Sequence, residues 1–297
     1  MSGRFRTDHS MTPREYCQQK AAPRGSSLYY ALYVADDAQR PALEAVHAYQ
    51  REIIEIVREC RELSVAQTKL RWWKEELARA FDGQPRHPVT QALRENAIDR
   101  YRLAREYFEQ VIEGVEMDLE YNLYPSFKSL SLYCHRVGGS ITQLAVDICG
   151  YQDRQTARYA HDLGMGLQLM SLLRRVRQDV AAGRIYLPED EMQQTGVTQA
   201  DLHQNQTPDR VRELFALQAQ RIRGFFDQGM ARLPDQDRYR QRPGIVLAEL
   251  NRALLDEMEQ EGFPLLERGF QLTPIRKLWI AWRTAQRQRR YRTPANR

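Results

Sequence analysis

The sequence predicts an all-α protein folded as a single helical bundle, on three observations. Apolar residues recur three and four positions apart along almost the whole chain, the spacing that places them on one face of a helix. No run alternates apolar and polar residues in the manner of a half-buried strand. The glycines and prolines that interrupt the helical pattern leave gaps too short to serve as domain linkers. A chain of 297 residues is long enough to bury a core without help from disulfides or a metal.

Taken in order, the first strong helix starts at Pro41, a residue suited to a first helical turn, and presents Leu43, Val46, Ile53, Ile54 and Val57 on its way to Cys60. Further helices are expected over about 64–81, 102–121, 127–149, 153–182, 208–231, 243–262 and 274–290. Gly83-Gln84-Pro85, Pro125, Gly150, Gly183 to Pro188 and Leu233-Pro234 separate them, because these residues end helices or favour turns. Several of the helices are too apolar on one face to be solvated alone, so they should share one interior.

The composition, 42% hydrophobic and 28% charged, is that of a globular protein and excludes a disordered or fibrous chain. Cys17, Cys60, Cys134 and Cys149 lack C-x-x-C spacing, so neither a zinc site nor a disulfide framework is expected. No stretch reaches the roughly 18 apolar residues of a spanning helix, and Met1 to Ser10 lack the apolar core of a secretory signal. The expected location is cytoplasmic. The net charge of +5 is uneven, since Arg283 to Arg297 holds six arginines and no acid. Without that tail, 38 basic and 39 acidic side chains leave a net of −1. A near-neutral body argues against nucleic-acid binding, which needs positive charge across a face of the fold. The basic tail suits an anionic surface such as the inner face of a membrane; a solvated terminus would have the same composition.

Seven blocks in order carry a resemblance. They are Ser26-Ser27-Leu28-Tyr29-Tyr30-Ala31, Ala48-Tyr49-Gln50-Arg51-Glu52, Lys69 to Leu77, Gly114 to Leu119, Tyr133-Cys134-His135-Arg136-Val137-Gly138-Gly139-Ser140, Gly164 to Leu173, and Gly183-Arg184-Ile185-Tyr186-Leu187-Pro188. With Arg276-Lys277-Leu278-Trp279, they resemble the squalene and phytoene synthase family over most of residues 26–280. The resemblance implies the isoprenoid synthase type of all-α bundle and a head-to-head prenyltransferase that joins two prenyl diphosphates. It divides the chain into an N-terminal extension (1–25), the synthase-like domain (26–282) and the basic tail (283–297). Ionising an allylic diphosphate calls for cations to hold the departing pyrophosphate, which such enzymes supply as magnesium held by carboxylates on two facing helices. The rest of the cavity must be apolar to keep water from carbocations. By the same resemblance, Tyr133 is the candidate catalytic residue, able to stabilise a cation. Arg51, Arg58, Arg174, Arg175, Gln168, Arg184 and Tyr186 are the candidates for substrate binding. For Tyr133 the alternative is an ordinary core aromatic, and for Arg184 and Tyr186 a helix-end turn built on Gly183.

The sequence departs from the family where metal should bind. The first aspartate motif falls on Ile54, Glu55 and Arg58, and the second on Arg175 and Asp179, with Ser171 and Gln178 at further altered positions. Glu55, Glu59 and Asp179 remain as metal candidates if magnesium is retained; otherwise no cofactor is expected. Guanidinium groups stay protonated, so Arg58 and Arg175 set fixed positive charge where divalent ions would sit. Two unit charges about 4 Å apart repel by roughly 4 kcal/mol at an effective dielectric of 20, and a divalent ion doubles this. Two accounts follow. In one, Glu55 or Glu59 pairs with Arg175 and Asp179 with Arg58, converting the metal site into an ion-pair network between helices. In the other, Arg51, Arg58, Arg174 and Arg175 cradle a diphosphate directly.

Three functions stay open on these residues. The first is a family member with a degraded magnesium site, non-catalytic or atypical, binding a prenyl diphosphate or apolar lipid or acting through a protein partner. The family includes a mitochondrial assembly factor of that kind. The second is an active synthase of the squalene or phytoene type, and the third a ligand-free helical scaffold. The six histidines are scattered without the i, i+4 pairing of a helical metal site, and no glycine-rich phosphate loop is present.

Overall fold

A computed structural model describes residues 11–60 and 62–292. The first ten residues of the expected N-terminal extension and residues 293–297 of the tail lie outside the described residues. The helices are α1 (Pro13–Ala21), α2 (Ser27–Tyr33), α3 (Arg40–Glu59), α4 (Leu63–Phe81), α5 (Pro88–Leu93), α6 (Asp99–Tyr101), α7 (Arg105–Glu120), α8 (Phe127–Cys134) and α9 (Ser140–Cys149). They continue as α10 (Gln155–Ala181), α11 (Glu189–Gln194), α12 (Gln199–Leu202), α13 (Asp209–Arg232), α14 (Asp235–Arg238), α15 (Arg242–Gln260) and α16 (Pro274–Gln288). Among the described residues there is no sheet, only an isolated bridge between Leu123 and Ile185. The all-α expectation holds, and the expected long helices are present with ends shifted by a few residues, except that 127–149 is divided into α8 and α9 by a π turn at His135–Gly139.

Local chemistry fixes the starts of the helices. Thr12 and Glu15 cap α1 reciprocally, the Thr12 hydroxyl accepting from the Glu15 amide at 3.2 Å while Glu15 accepts from the Thr12 amide at 2.8 Å. Ser26 caps α2 by accepting from the Tyr29 amide at 3.1 Å. Pro41 sits in the first turn of α3, as its fixed φ favours. Glu76 and Asp237, both fully buried, are explained by neighbouring donors. Glu76 accepts from the Arg86 and His87 amides at 2.6 and 2.8 Å. Asp237 accepts from the Gln152 amide at 2.7 Å and the Thr156 hydroxyl at 2.6 Å. Each of these carboxylates holds a loop in place.

At the centre stands α10, which buries residues on all sides, including Tyr159, Leu163, Leu169, Met170 and Val180. It packs along α13 and against α9 and α15. The approach of α10 to the Gly138-Gly139 segment depends on missing side chains. A Cβ at Gly164 would stand 2.7 Å from Gly139 Cα and 2.9 Å from the Gly138 carbonyl oxygen, both backbone atoms. Gly164→Ala is therefore expected to lower stability by about 1–3 kcal/mol. Gly224→Ala in α13, where a Cβ meets nothing within 4 Å, should be neutral or stabilise by up to about 1 kcal/mol. Denaturant unfolding of the two variants checks the contrast.

Helix α1 packs on α3 and α5, burying Cys17 and Ala21. Its Lys20 thereby reaches the middle of α3, with consequences for the site.

Candidate functional site

The facing stretches of α3 and α10 open onto a cavity of about 620 Å³. Its roof comes from the segment before α2, and the far wall from α15 and the start of α16. Among the described residues, five arginines and a lysine line it: Arg24, Arg51, Arg58, Arg174, Arg175 and Lys277, the last with its pKa lowered by burial and by Arg174. The one carboxylate in the lining is Glu55, alongside Gln168 and Ser171. Apolar walls from Leu28, Ile141, Leu167 and Leu247 lead away from the charged end.

The arginines are poorly compensated. Burial lowers the Arg174 pKa, and Arg175, Arg51 and Arg58 lower it further. Arg175 is lowered by burial and by Arg58, against the pull of Asp179. Burial, with Arg58 adding, lowers Arg51, opposed by Glu55. Arg51 and Arg174 are nevertheless exposed, because the cavity they line opens to solvent. All remain protonated, so the cluster repels itself and would be relieved by an anion. The Arg175 Nε is buried without a hydrogen bond and faces Asp179 Oδ1 at 3.6 Å.

The carboxylates do not supply the expected balance. Glu55 is paired with Lys20, which also lies 3.0 Å from Glu52. Burial opposes the charge on Lys20, but its bonds to Glu55 and Glu52 outweigh that and raise its pKa. Glu59 is exposed and lines a separate outer groove with Lys69 and Trp72. Asp179 is buried beside a much smaller cavity, its nearest cation Arg175 on the same helix at 3.6 Å. The interhelical ion-pair network, Glu55 or Glu59 with Arg175 and Asp179 with Arg58, is thus not what the structure has. Lys20 arrives from α1 and takes Glu55, and Arg175 lies one turn before Asp179.

The same facts bear on magnesium. Glu55 and Glu59 both border the outer groove, where Lys20 holds Glu55, while Asp179 lies apart beside the smaller cavity, and no group of three or more His, Cys, Asp or Glu side chains among the described residues could hold a metal ion. Magnesium requires octahedral oxygen ligation. Here the cavity offers one carboxylate already bound to an ammonium, among six cations. These residues do not fit a magnesium cluster.

Tyr133, Arg184 and Tyr186 lie outside the lining of the large cavity and belong to a second cluster. Its centre is Asp118, which accepts from the Tyr124 and Tyr186 hydroxyls, each at 2.8 Å. Arg184 donates to the Asp118 carbonyl oxygen at 2.5 Å and to that of Val57 at 3.3 Å, clamping the turn after α10 onto α7 and α3. The Tyr133 ring is buried and stacks on Tyr186 at 5.4 Å. Gly183, at φ +77°, makes the turn that brings Arg184 and Tyr186 there. Burial pushes the Asp118 pKa up to about 6, against the opposing bonds from Tyr124 and Tyr186. An unfolded aspartate titrates near 3.9, so the folded state binds this proton more tightly. The group then favours the fold at low pH, and that contribution is lost as pH rises through about 6. The shift corresponds to about 3 kcal/mol. Unfolding free energies at pH 4.5 and 7.5 should differ less in Asp118→Asn than in the parent chain.

The spacing of the two motifs brings Arg51, Arg58, Arg174, Arg175 and Gln168 into one cavity. Sequence reasoning missed Arg24, Lys277 and Lys20. Arg24 stands just before the Ser26-Ser27 block and Lys277 inside the closing block, so both had a local marker, whereas Lys20 had none.

Comparison with known proteins decides the ancestry. The family model described as squalene/phytoene synthase matches residues 21–279. The chain belongs to the squalene/phytoene synthase family. It is 31% identical over 270 residues to a phytoene synthase of Arthrospira platensis, covering 86% of each chain. To a presqualene diphosphate synthase of Rhodopseudomonas palustris it is 32% identical over 191 residues, covering 64% of this chain and 67% of that protein. Among solved structures, a squalene synthase from Alicyclobacillus acidocaldarius superimposes with a TM-score of 0.73 at 25% identity, over 84% of this chain and 94% of the other. A dehydrosqualene synthase gives 0.82 at 22% identity, over 94% and 97%, so the fold is that of these synthases.

Proposed function

We propose that this member of the squalene/phytoene synthase family binds a prenyl diphosphate in the arginine-lined cavity without magnesium, and is non-catalytic. The observation that carries the reading is the charge of the lining: among the described residues, five arginines and Lys277 against a single carboxylate that Lys20 already holds. Arginine forks match phosphate oxygens in pairs and need no metal between them. Arg58 from α3 and Arg175 from α10, both in the cavity lining, take the diphosphate from opposite sides. The apolar walls beginning at Leu28 and Leu167 receive the prenyl chain.

Binding of this kind stabilises the intact diphosphate as much as anything that follows it. Interactions equal in ground and transition state lower the dissociation constant without raising turnover. The open cavity speaks against a ligand-free scaffold, which would fill its interior. The activity named for the relatives supports the other reading, an active head-to-head synthase.

Equilibrium binding of farnesyl diphosphate, with pyrophosphate release measured on the same samples, tests the proposal. The expected result is saturable binding in EDTA, unchanged by magnesium, with release at background even at high protein concentration. Release that rises with added magnesium would establish the active synthase instead.

A further inference from the structure

Helix α16 has its sides reversed for a helix that borders water. Toward the body it buries Lys277, Ala281, Thr284 and Gln288. Toward solvent it shows Ile275, Leu278, Trp279 and Trp282, which are 82, 53, 52 and 58% exposed. These four stand at i, i+3, i+4 and i+7, so they form one continuous stripe. A solvated helix on a globular body places such residues inward, where burial gains roughly 25 cal/mol per Å². The stripe extends sideways onto α2: Tyr33, 64% exposed, lines a shallow groove of about 300 Å³ with Leu278, Trp282 and Arg289.

The helix that carries the stripe bears charge of one sign. No carboxylate occurs from Pro274 to Arg292. Arg276 is tied to Glu257, and the Lys277 ammonium is turned inward to the Gly25 carbonyl oxygen at 2.8 Å. Arg283, Arg287, Arg289 and Arg290 are exposed. A stripe one helix wide, rich in tryptophan and flanked on its own helix by exposed arginines, with the neighbouring Asp36 and Glu257 each engaged by an arginine, is complementary to an extended anionic surface with an apolar layer beneath. Tryptophan rings settle at the headgroup level, and a basic amphipathic helix lies in the plane of the interface. No described helix is long and apolar enough to cross a membrane, so contact here is from one side.

We infer that α16 is the face by which the protein docks on an anionic phospholipid bilayer. Ile275, Leu278, Trp279 and Trp282 enter the boundary between headgroups and acyl chains, and Arg283, Arg287, Arg289 and Arg290 lie among the lipid phosphates. The expected contact of the basic tail with an anionic surface thereby gains an apolar anchor in the folded domain. The inference stands apart from what the cavity binds.

The test uses the full chain and vesicles of phosphatidylcholine, with and without phosphatidylglycerol, followed by co-sedimentation and by quenching of tryptophan emission with brominated acyl chains. The parent chain should bind the phosphatidylglycerol vesicles, be quenched, and dissociate as salt rises. Trp279→Ser with Trp282→Ser should weaken partitioning by about tenfold or more and abolish the quenching, since Trp72 and Trp73 lie on α4. Arg287→Glu with Arg290→Glu should weaken binding to the anionic vesicles by at least about tenfold. These residues are exposed, and circular dichroism of each variant confirms that it is folded. Equal binding to both vesicle types, or undiminished binding by the tryptophan variant, would overturn the inference. So would a lipid-free dimer of the parent chain that the tryptophan variant dissolves, which would assign the stripe to a second copy.

Discussion

Arg175→Ala is expected to weaken magnesium-free binding of farnesyl diphosphate by about 10- to 150-fold. The figure follows from losing one charge-assisted interaction worth about 1.5–3 kcal/mol, at 1.4 kcal/mol for each factor of ten. Arg175→Lys should recover only part of it, because an ammonium offers a point charge in place of a planar fork. Arg177→Ala is the control on the same helix. That side chain is exposed and donates to the Glu267 carbonyl oxygen at 2.8 Å, away from the cavity. Isothermal titration in EDTA measures all three. Unchanged affinity in Arg175→Ala would remove the guanidinium from the site.

The largest effect is expected when the two helices are given back carboxylates. In a variant combining Ile54→Asp, Arg58→Asp and Arg175→Asp, two cations leave the cavity and three anions enter it. Losing two charge-assisted interactions alone predicts about a thousandfold loss of affinity in EDTA. Repulsion between the new carboxylates and the diphosphate adds to that. The variant should bind farnesyl diphosphate only when magnesium is supplied, since carboxylates on facing helices then offer the oxygen ligands the parent cavity lacks. Titrations with and without magnesium read the reversal, and circular dichroism controls for folding. If the variant binds in EDTA as the parent does, the charges at 58 and 175 do not control the site.

Much of this was legible in the sequence because the long helices carry enough periodic positions to define a face. Helices α3, α4, α10, α13 and α15 were each expected nearly in full. Between α8 and α9 the pattern read as one unbroken helix, whereas His135–Gly139 forms a wider π turn. The periodicity of flanking apolar residues does not register one added residue in a turn. The short helices α5, α11, α12 and α14 span too few positions for a pattern to emerge. Their boundaries come from contacts such as the grip of Glu76 on the residues before α5.

For the site, the two motifs spaced along α3 and α10 were enough to bring Arg51, Arg58, Arg174 and Arg175 together, since facing helices juxtapose them wherever the fold is shared. The partners of the carboxylates were not legible. Whether Glu55 turns toward Arg175 or toward Lys20 depends on where α1 packs, and nothing local to residues 13–21 announces that. The Asp118 cluster was hidden for the same reason. Tyr124 comes to it from the loop after α7, and Arg184 and Tyr186 together from the turn after α10, two segments that the sequence keeps apart. Tyr133 and Tyr186 appeared as separate markers, and the structure stacks them on one another.

The central claim is that guanidinium groups, and not divalent ions, hold the phosphate end of the ligand. A crystal grown with manganese and farnesyl thiodiphosphate tests it most directly, because manganese is visible by anomalous scattering. The account predicts diphosphate oxygens within about 3 Å of the Arg58 and Arg175 side chains, and no anomalous peak in the cavity. A manganese cluster ligated by Glu55 and Asp179, with Lys20 displaced and both arginines turned away from the diphosphate, would contradict it.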